Sequence, residues 1–174
     1  MTRKILFIFT ILAVLISCKS RETENNGKQP DQETLMKINK YLVKKDADAI
    51  KGYIQRHGWN MQESKAGLWY EIISNGNGNK AETGKKATLE YKVWLLNGTP
   101  CYSSDSLGNK TFTIGKGGVE PGLELGILML REGDRARFIM PPHLAHGLVG
   151  DGDKIPARAT IVYEVHLLKI SDLQ

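Results

Sequence analysis

The sequence predicts an α+β fold in which a single short helix covers one face of an antiparallel sheet. Three segments alternate apolar and polar residues, and this period of two is typical of half-buried strands. The alternating apolar positions are Leu89, Tyr91, Val93 and Leu95, then Ala136, Phe138 and Met140, then Ile161, Tyr163, Val165 and Leu167. No parallel crossover pattern or internal repeat accompanies them, so the prediction is α+β and not α/β.

The strands and the covering helix follow from local patterns. In the first strand Glu90, Lys92 and Trp94 occupy the intervening positions, and we expect them on the opposite face of the sheet. The helix is predicted over 121–130, because proline suits a first turn in which no amide hydrogen is needed. Its apolar stripe, which would face the sheet, consists of Leu123, Ile127 and Leu130.

The first 18 residues have the order of an export signal. Two basic residues at 3–4 precede an apolar run at 5–16 that is too short for a stable transmembrane anchor, and Ser17-Cys18 follows. This ending resembles the bacterial lipobox, in which the cysteine is lipidated and becomes the new N-terminus. We therefore expect a signal peptide at 1–17 and attachment of the chain to a membrane by lipid on Cys18. The alternatives are an uncleaved short anchor and an ordinary signal with a chance cysteine.

The charge and cysteine content of the chain exclude two features, nucleic-acid binding and an intramolecular disulfide. Removal of the signal takes away two of the 24 basic residues and none of the 19 acidic ones, so the formal charge falls from +5 to +3. A chain this close to neutral lacks the electrostatic footprint of a nucleic-acid-binding protein. With Cys18 committed to lipid, Cys101 is the only remaining thiol, which excludes an intramolecular disulfide. We therefore expect the fold to be stabilised by an apolar core.

Two segments separate the signal from the predicted sheet domain. Residues 18–32 carry almost no apolar side chains, and we interpret them as a flexible tether. In 33–66 apolar residues recur at helical spacing on both sides of Asp46, a candidate N-cap, and the pattern ends near His57-Gly58. The interpretation is one broken helix or two short helices. We expect the domain at 67–174 to fold without this segment, which contributes little to its apolar periodicity.

Motifs within the predicted domain carry a family resemblance. Val119-Glu120-Pro121-Gly122 leads into the helix, and the turn Gly133-Asp134 opens a strand that ends at Pro141. The other matching motifs are Gly84-Lys85-Lys86, Leu89-Glu90-Tyr91, Asn97-Gly98 with Ser103-Ser104, and Ile155-Pro156-Ala157 before the last strand. Over roughly 67–170 the chain resembles the FKBP family of peptidyl-prolyl isomerases.

The resemblance implies an FKBP-like half-barrel sheet wrapped on one short helix, with isomerase activity on X-Pro bonds of proteins or peptides. Rotation about the amide faces a barrier of about 18–20 kcal/mol, and a dry pocket lowers it by disfavouring the charge-separated resonance form. This chemistry needs no nucleophile and no cofactor. By resemblance, the catalytic residues are Tyr91, Val119, Glu120 through its backbone N–H, His146 and Tyr163, and the substrate-binding residues are Cys101, Tyr102, Leu123 and Ile155.

Several positions depart from the family pattern. Cys101-Tyr102 stands where the family usually has Phe-Asp, and Leu123 stands where a pocket-floor tryptophan is usual. His146 replaces a flap tyrosine that donates to a substrate carbonyl, although an imidazole can also donate. Glu120 replaces an apolar side chain, but the contact implied by the resemblance is made by its backbone. Because an aromatic wall and a carboxylate are lost, we expect weak activity.

Two clusters outside these motifs contain residue types that bind metals. His143 and His146 could share a helical face, but no third ligand is evident nearby, as a zinc site would require. Asp151-Gly152-Asp153 lacks the remaining ligands of a calcium loop and is interpreted as a polar turn. We therefore predict no metal site.

A finer resemblance concerns location and partners. The lipid signal, the substitutions described above and the segments 57–60 and 67–70 are similar to FKBP-like lipoproteins of Bacteroidetes, including those of gliding motility. This implies a periplasm-facing protein of the outer membrane that acts on envelope proteins or belongs to an envelope complex. The alternative to an enzyme is a binding module or chaperone subunit. Some periplasmic relatives dimerise through long N-terminal helices, whereas we expect the short segment here to pack against the domain.

Overall fold

The computed structural model describes residues 30–173, so the predicted signal peptide, Cys18 and most of the tether lie outside the described residues. Among these residues no helix has the length and apolar character needed to cross a membrane. The elements in chain order are α1 (Gln32–His57), β1 (Gln62–Glu63), β2 (Trp69–Ser74), β3 (Lys86–Leu95), β4 (Pro100–Ser103), α2 (Ser104–Leu107), β5 (Lys110–Thr113), α3 (Pro121–Ile127), β6 (Arg135–Met140), a 3₁₀ turn (Pro142–Leu144) and β7 (Ile161–Ser171).

The strands form one seven-stranded antiparallel sheet, which confirms the predicted α+β class. Its order is β1-β2-β6-β7-β3-β4, and β5 pairs with β3 beside this path. The two longest strands, β3 and β7, are neighbours, with Tyr91 opposite Val165 and Val93 opposite Tyr163. The hairpin between β3 and β4 turns at the predicted Asn97-Gly98, where the Gly98 N–H donates to Leu95 O at 2.9 Å.

Helix α3 packs on one face of the sheet, called here the inner face. Its buried residues Leu123 and Ile127 join a core cluster that includes Phe138 and Met140 of β6. The approach is close at Gly126, where an added Cβ would lie 2.6 Å from the Phe138 ring. The helix begins at Pro121 as predicted but ends at Ile127, because the chain continues in tighter turns. The fully buried Leu130 still belongs to the same core.

Helix α1 packs on the opposite face of the sheet, called here the outer face. Its residues Ile50, Tyr53 and Ile54 form a second buried cluster with sheet residues, namely Trp69, Ile139 and Val162. Trp94 packs against this cluster and donates from Nε1 to the Tyr53 hydroxyl at 2.8 Å. The expectation that α1 contributes little to the sheet was therefore wrong, because the outer face is also apolar and α1 covers it. The expected packing of this segment against the domain is confirmed.

Helix α1 runs for 26 residues without a break, so the predicted interruption at Asp46 was wrong. Asp46 is not an N-cap but lies inside the helix, where its carboxylate accepts from Arg158 Nη2 at 3.0 Å. At the start of the helix, the Thr34 N–H donates to Asp31 Oδ1 at 2.7 Å. All side chains from 30 to 37 are exposed.

Candidate active site

Five predicted pocket residues meet on the inner face and are called here the cup. They are Tyr91 of β3, Cys101 of β4, Leu123 of α3, Ile155 of the β6–β7 loop and Tyr163 of β7, and none is more than 7% exposed. The rings of Tyr91 and Tyr163 lie 6.2 Å apart between centroids. The structure therefore brings the predicted lining together, but as part of a closed core.

A cleft of about 360 Å³ adjoins the cup and is called here the mouth. It is lined by Lys110, Gly118, Val119, Glu120, Pro121, Ala145 and His146. The predicted Val119, Glu120 and His146 thus share one opening. Within residues 30–173 the backbone N–H of Glu120 donates to no acceptor, so it is free to bind a carbonyl oxygen.

The Glu120 side chain departs from the prediction, which used only its backbone. Its carboxylate is directed into the cup with 8% of the side chain exposed, and Oε1 accepts from the Tyr163 hydroxyl at 2.8 Å. His146 Nε2 lies 3.3 Å from the same oxygen but is not aligned for a hydrogen bond. Among the described residues neither Glu120 Oε2 nor His146 Nε2 has a hydrogen-bond partner, although both atoms are buried. A carboxylate therefore occupies the place where the family usually has an apolar side chain.

Lys110 is a member of the mouth that the sequence reading did not identify. Its Nζ lies 5.0 Å from the Tyr91 ring centroid and 5.7 Å from that of Tyr163, within cation–π range. It also donates to the Tyr163 hydroxyl at 3.2 Å and lies 3.7 Å from Glu120 Oε2. The period of two in β5 could have identified Lys110, because it shares a sheet face with the buried Phe112.

The environment of the cup keeps both tyrosines protonated. Burial raises the pKa of Tyr163, and the Glu120 charge and hydrogen bond raise it further. Burial, followed by the charge of Glu120, also raises the pKa of Tyr91. The Tyr163 hydroxyl is therefore a permanent donor to the Glu120 carboxylate at physiological pH.

Cys101 and Tyr102 lie on opposite sides of β4. The Cys101 Sγ contacts the carbonyl oxygens of Thr99 and Lys154 at 3.7 and 3.8 Å, and burial raises the pKa of the thiol. Cys101 is therefore a neutral wall residue of the cup. Tyr102 instead donates to Asp151 in the β6–β7 loop, and this bond, with burial, raises the pKa of Tyr102 to about 12. Its predicted role in substrate binding stays a prediction, and its hydroxyl is engaged by the loop.

The Asp151 carboxylate organises the β6–β7 loop. Its Oδ1 accepts from the backbone N–H of Asp153 and of Ile155, both at 2.9 Å. Burial disfavours the charge, but the Tyr102 hydroxyl and these two N–H groups outweigh it and lower the pKa of Asp151 to about 2. The segment is thus a polar turn that holds Ile155 against the cup.

Potential metal ligands are not assembled in the described part of the chain. His143 Nε2 lies 3.1 Å from Ala66 O, on a contact separate from the one between His146 and Glu120. Within residues 30–173 no three His, Cys, Asp or Glu side chains are grouped to hold a metal ion.

Comparisons with known proteins identify the family of this chain. The family model described as FKBP-type peptidyl-prolyl cis-trans isomerase matches residues 77–168. The FK506-binding protein of Neisseria meningitidis serogroup B is 38% identical over 105 residues, covering 60% of this chain and 96% of that protein. The probable FKBP-type peptidyl-prolyl cis-trans isomerase FkpA of the same organism is 37% identical over 111 residues, covering 63% of this chain and 40% of that protein.

Two solved structures share the architecture. The crystal structure of FkpA from Escherichia coli superposes with a TM-score of 0.63 at 25% identity, covering 83% of this chain and 75% of that one. The crystal structure of AtFKBP13 gives a TM-score of 0.61 at 29% identity, covering 63% of this chain and 98% of that one. The chain belongs to the FKBP-type peptidyl-prolyl cis-trans isomerase family, and the predicted FKBP-like fold and enzyme class are confirmed.

Proposed function

We propose that this isomerase acts slowly on X-Pro bonds of proteins that fold in the bacterial envelope. In this proposal it is anchored by lipid on Cys18 and faces the periplasm from the outer membrane. The order of basic, apolar and small residues before Cys18 supports the location. The resemblance that we infer from the sequence to FKBP-like lipoproteins of gliding motility suggests an envelope complex as its setting.

The proposal of low turnover rests on one observation, the Glu120 carboxylate in the cup. Amide rotation is favoured where the charge-separated ground state is poorly solvated, so a dry and apolar enclosure accelerates it. A buried carboxylate, with the Lys110 ammonium 3.7 Å away, makes this enclosure polar. Each loss of about 1.4 kcal/mol in transition-state stabilisation lowers the rate tenfold. A modest loss of enclosure therefore gives slow but measurable catalysis.

The closed cup favours a second candidate, a binding module of an envelope complex. Leu123 is fully buried and Ile155 is 2% exposed, so a proline ring would have to displace side chains to enter. The mouth, with the free Glu120 N–H, still offers a place for a peptide carbonyl. In this role the protein would bind a proline-containing segment without isomerising its X-Pro bond.

Exchange NMR on a short X-Pro peptide separates the two candidates. We expect the full chain in detergent to accelerate cis–trans exchange measurably, and a Glu33→Gln variant, altered on the exposed start of α1, to match it. Shifts of the Val119 and His146 signals on peptide addition, without acceleration of exchange, would identify a binding module instead.

Membrane attachment is tested by replacing Cys18. A Cys18→Ser variant should move from the detergent phase to the aqueous phase, because the lipid is the proposed anchor. Ser17→Ala keeps a small residue before the cysteine and should leave partitioning unchanged. Retention of Cys18→Ser in the detergent phase would instead indicate an uncleaved hydrophobic anchor.

A further inference from the structure

An ion pair connects helix α1 to the loop that carries part of the active site. Asp46 Oδ2 accepts from Arg158 Nη2 at 3.0 Å, and their side chains are 21% and 32% exposed. Asp46 belongs to α1, and Arg158 lies just before β7. The family match covers 77–168, so Asp46 lies outside the matched region while Arg158 lies inside it. The contact thus joins a helix outside the matched region to the isomerase domain.

The backbone of Arg158 closes the base of this loop. Its N–H donates to Gly147 O at 2.9 Å, directly after His146. Arg158 is also the one residue other than glycine with a positive φ, +57°, among those the structure describes. This conformation is disfavoured for a residue with a Cβ and persists only where surrounding contacts hold it. The pair with Asp46 is such a contact.

The loop between these points is held together by its own bonds. The Gly150 N–H donates to His146 O at 3.2 Å, and Asp151 Oδ1 accepts from the Ile155 N–H at 2.9 Å. His146 at one end lines the mouth, and Ile155 further along packs in the cup. Arg158 is therefore connected through this loop to both parts of the site.

We propose that Asp46 and Arg158 are positioning residues, through which α1 holds the loop 146–158 in its place on the active site. The pair keeps His146 beside Glu120, at the observed 3.3 Å. Removing the pair releases the loop at its base, while the buried contacts of α1 with the sheet remain. The proposal rests on the cup and the mouth as the isomerase site of this chain.

Arg158→Gly and Asp46→Ala test this proposal in the full chain. Glycine accepts the positive φ, so Arg158→Gly removes the side chain without straining the backbone. We expect either variant to shift and broaden the His146 imidazole signals in NMR spectra. Peptide exchange should slow by about three- to tenfold, which lies within the coupling found for mutations between connected sites. Melting temperatures should change by only a few degrees.

Matched variants separate positioning from general stability. Lys44 and Asp48 form an exposed ion pair on the same helix at 2.6 Å, so Asp48→Ala removes a similar contact that does not reach the loop. Asp48→Ala should leave the His146 signals unchanged. Asp46→Glu should give His146 signals like those of the wild type, unlike Asp46→Ala, since the longer carboxylate still reaches Arg158.

Three outcomes would overturn the proposal. They are unchanged His146 signals in both test variants, equal changes in Asp48→Ala, and a large loss of melting temperature that assigns the pair to stability alone. If the wild-type chain accelerates no exchange, the proposed function fails, but the His146 signals still decide whether α1 positions the loop.

Discussion

The two faces of the sheet are covered by different helices. The candidate active site lies on the inner face, whereas the outer face is buried by a helix that contributes no residue to that site. On the inner face the seven-residue helix α3 approaches so closely that a Cβ at Gly126 would lie 2.6 Å from the Phe138 ring, and the candidate active site lies on this face. On the outer face the 26-residue helix α1 buries three side chains and contributes none to the cup. The family model covers α3 but not α1, which lies outside 77–168 and completes the core on the outer face.

The largest expected effect comes from removing the cover of the outer face. A chain that starts at Met61 loses the burial of Ile50, Tyr53 and Ile54, each contributing about 1.5–3 kcal/mol, and exposes Trp69 and its neighbours. We expect a loss on the order of 5 kcal/mol in the free energy of unfolding. Urea unfolding followed by tryptophan fluorescence measures it.

A matched truncation shows whether the buried half of α1 is responsible. A chain that starts at Ile38 loses, among the described residues, only the exposed side chains of 30–37, and its unfolding midpoint should stay close to that of the longer chain. An unchanged midpoint in the chain that starts at Met61 would mean that the outer face does not need its helix.

Alanine substitutions at two glycines compare how well each face of the sheet tolerates an added methyl group. Gly126→Ala places a Cβ 2.6 Å from the Phe138 ring and should destabilise by about 1–3 kcal/mol. Gly52→Ala in α1 meets only the flexible end of Arg56 at 3.3 Å and should stabilise by about 0.5–1 kcal/mol, because alanine favours the helix. Thermal unfolding of both variants measures the difference. A neutral Gly126→Ala would show that α3 is not closely packed.

A smaller effect on stability is expected at acidic pH, where Asp151 in the β6–β7 loop becomes protonated. The folded pKa of Asp151, about 2, lies below the usual unfolded value near 3.9. Its contribution is therefore complete above that unfolded value and is lost as the pH falls towards 2. Asp151→Asn should lose less melting temperature than the wild type between pH 5 and pH 2.5. Asp153→Asn, which keeps both backbone bonds to Asp151, should behave as the wild type does.

Several parts of the inner face were predictable from the sequence because they depend on local rules. The period of two placed Tyr91 and Tyr163 on one side of the sheet, and proline chemistry placed the start of α3 at Pro121. The same rules assigned Trp94 to the other side of its strand. They could not show that α1 covers that side, because alternation distinguishes two faces without revealing what packs on each.

The remaining differences depend on contacts that are distant in sequence. Asp46 has the residue type of an N-cap, and only its partner Arg158, 112 positions away, shows why a carboxylate lies inside a helix. Glu120 was assigned through its backbone, and the position of its carboxylate depends on Tyr163 of β7 and Lys110 of β5. Motif position identified these residues, whereas side-chain direction required the tertiary structure.

The central claim is that the inner face keeps the isomerase frame while the buried Glu120 carboxylate slows its chemistry. Glu120→Gln tests this claim directly, because it removes the charge and keeps an oxygen for the Tyr163 hydroxyl. Exchange NMR on an X-Pro peptide should show turnover higher by about threefold in this variant, and higher again in Glu120→Leu, since less polar enclosure lowers the barrier. Slower exchange in both variants, with the fold intact, would contradict the account and make the carboxylate a contributor to catalysis.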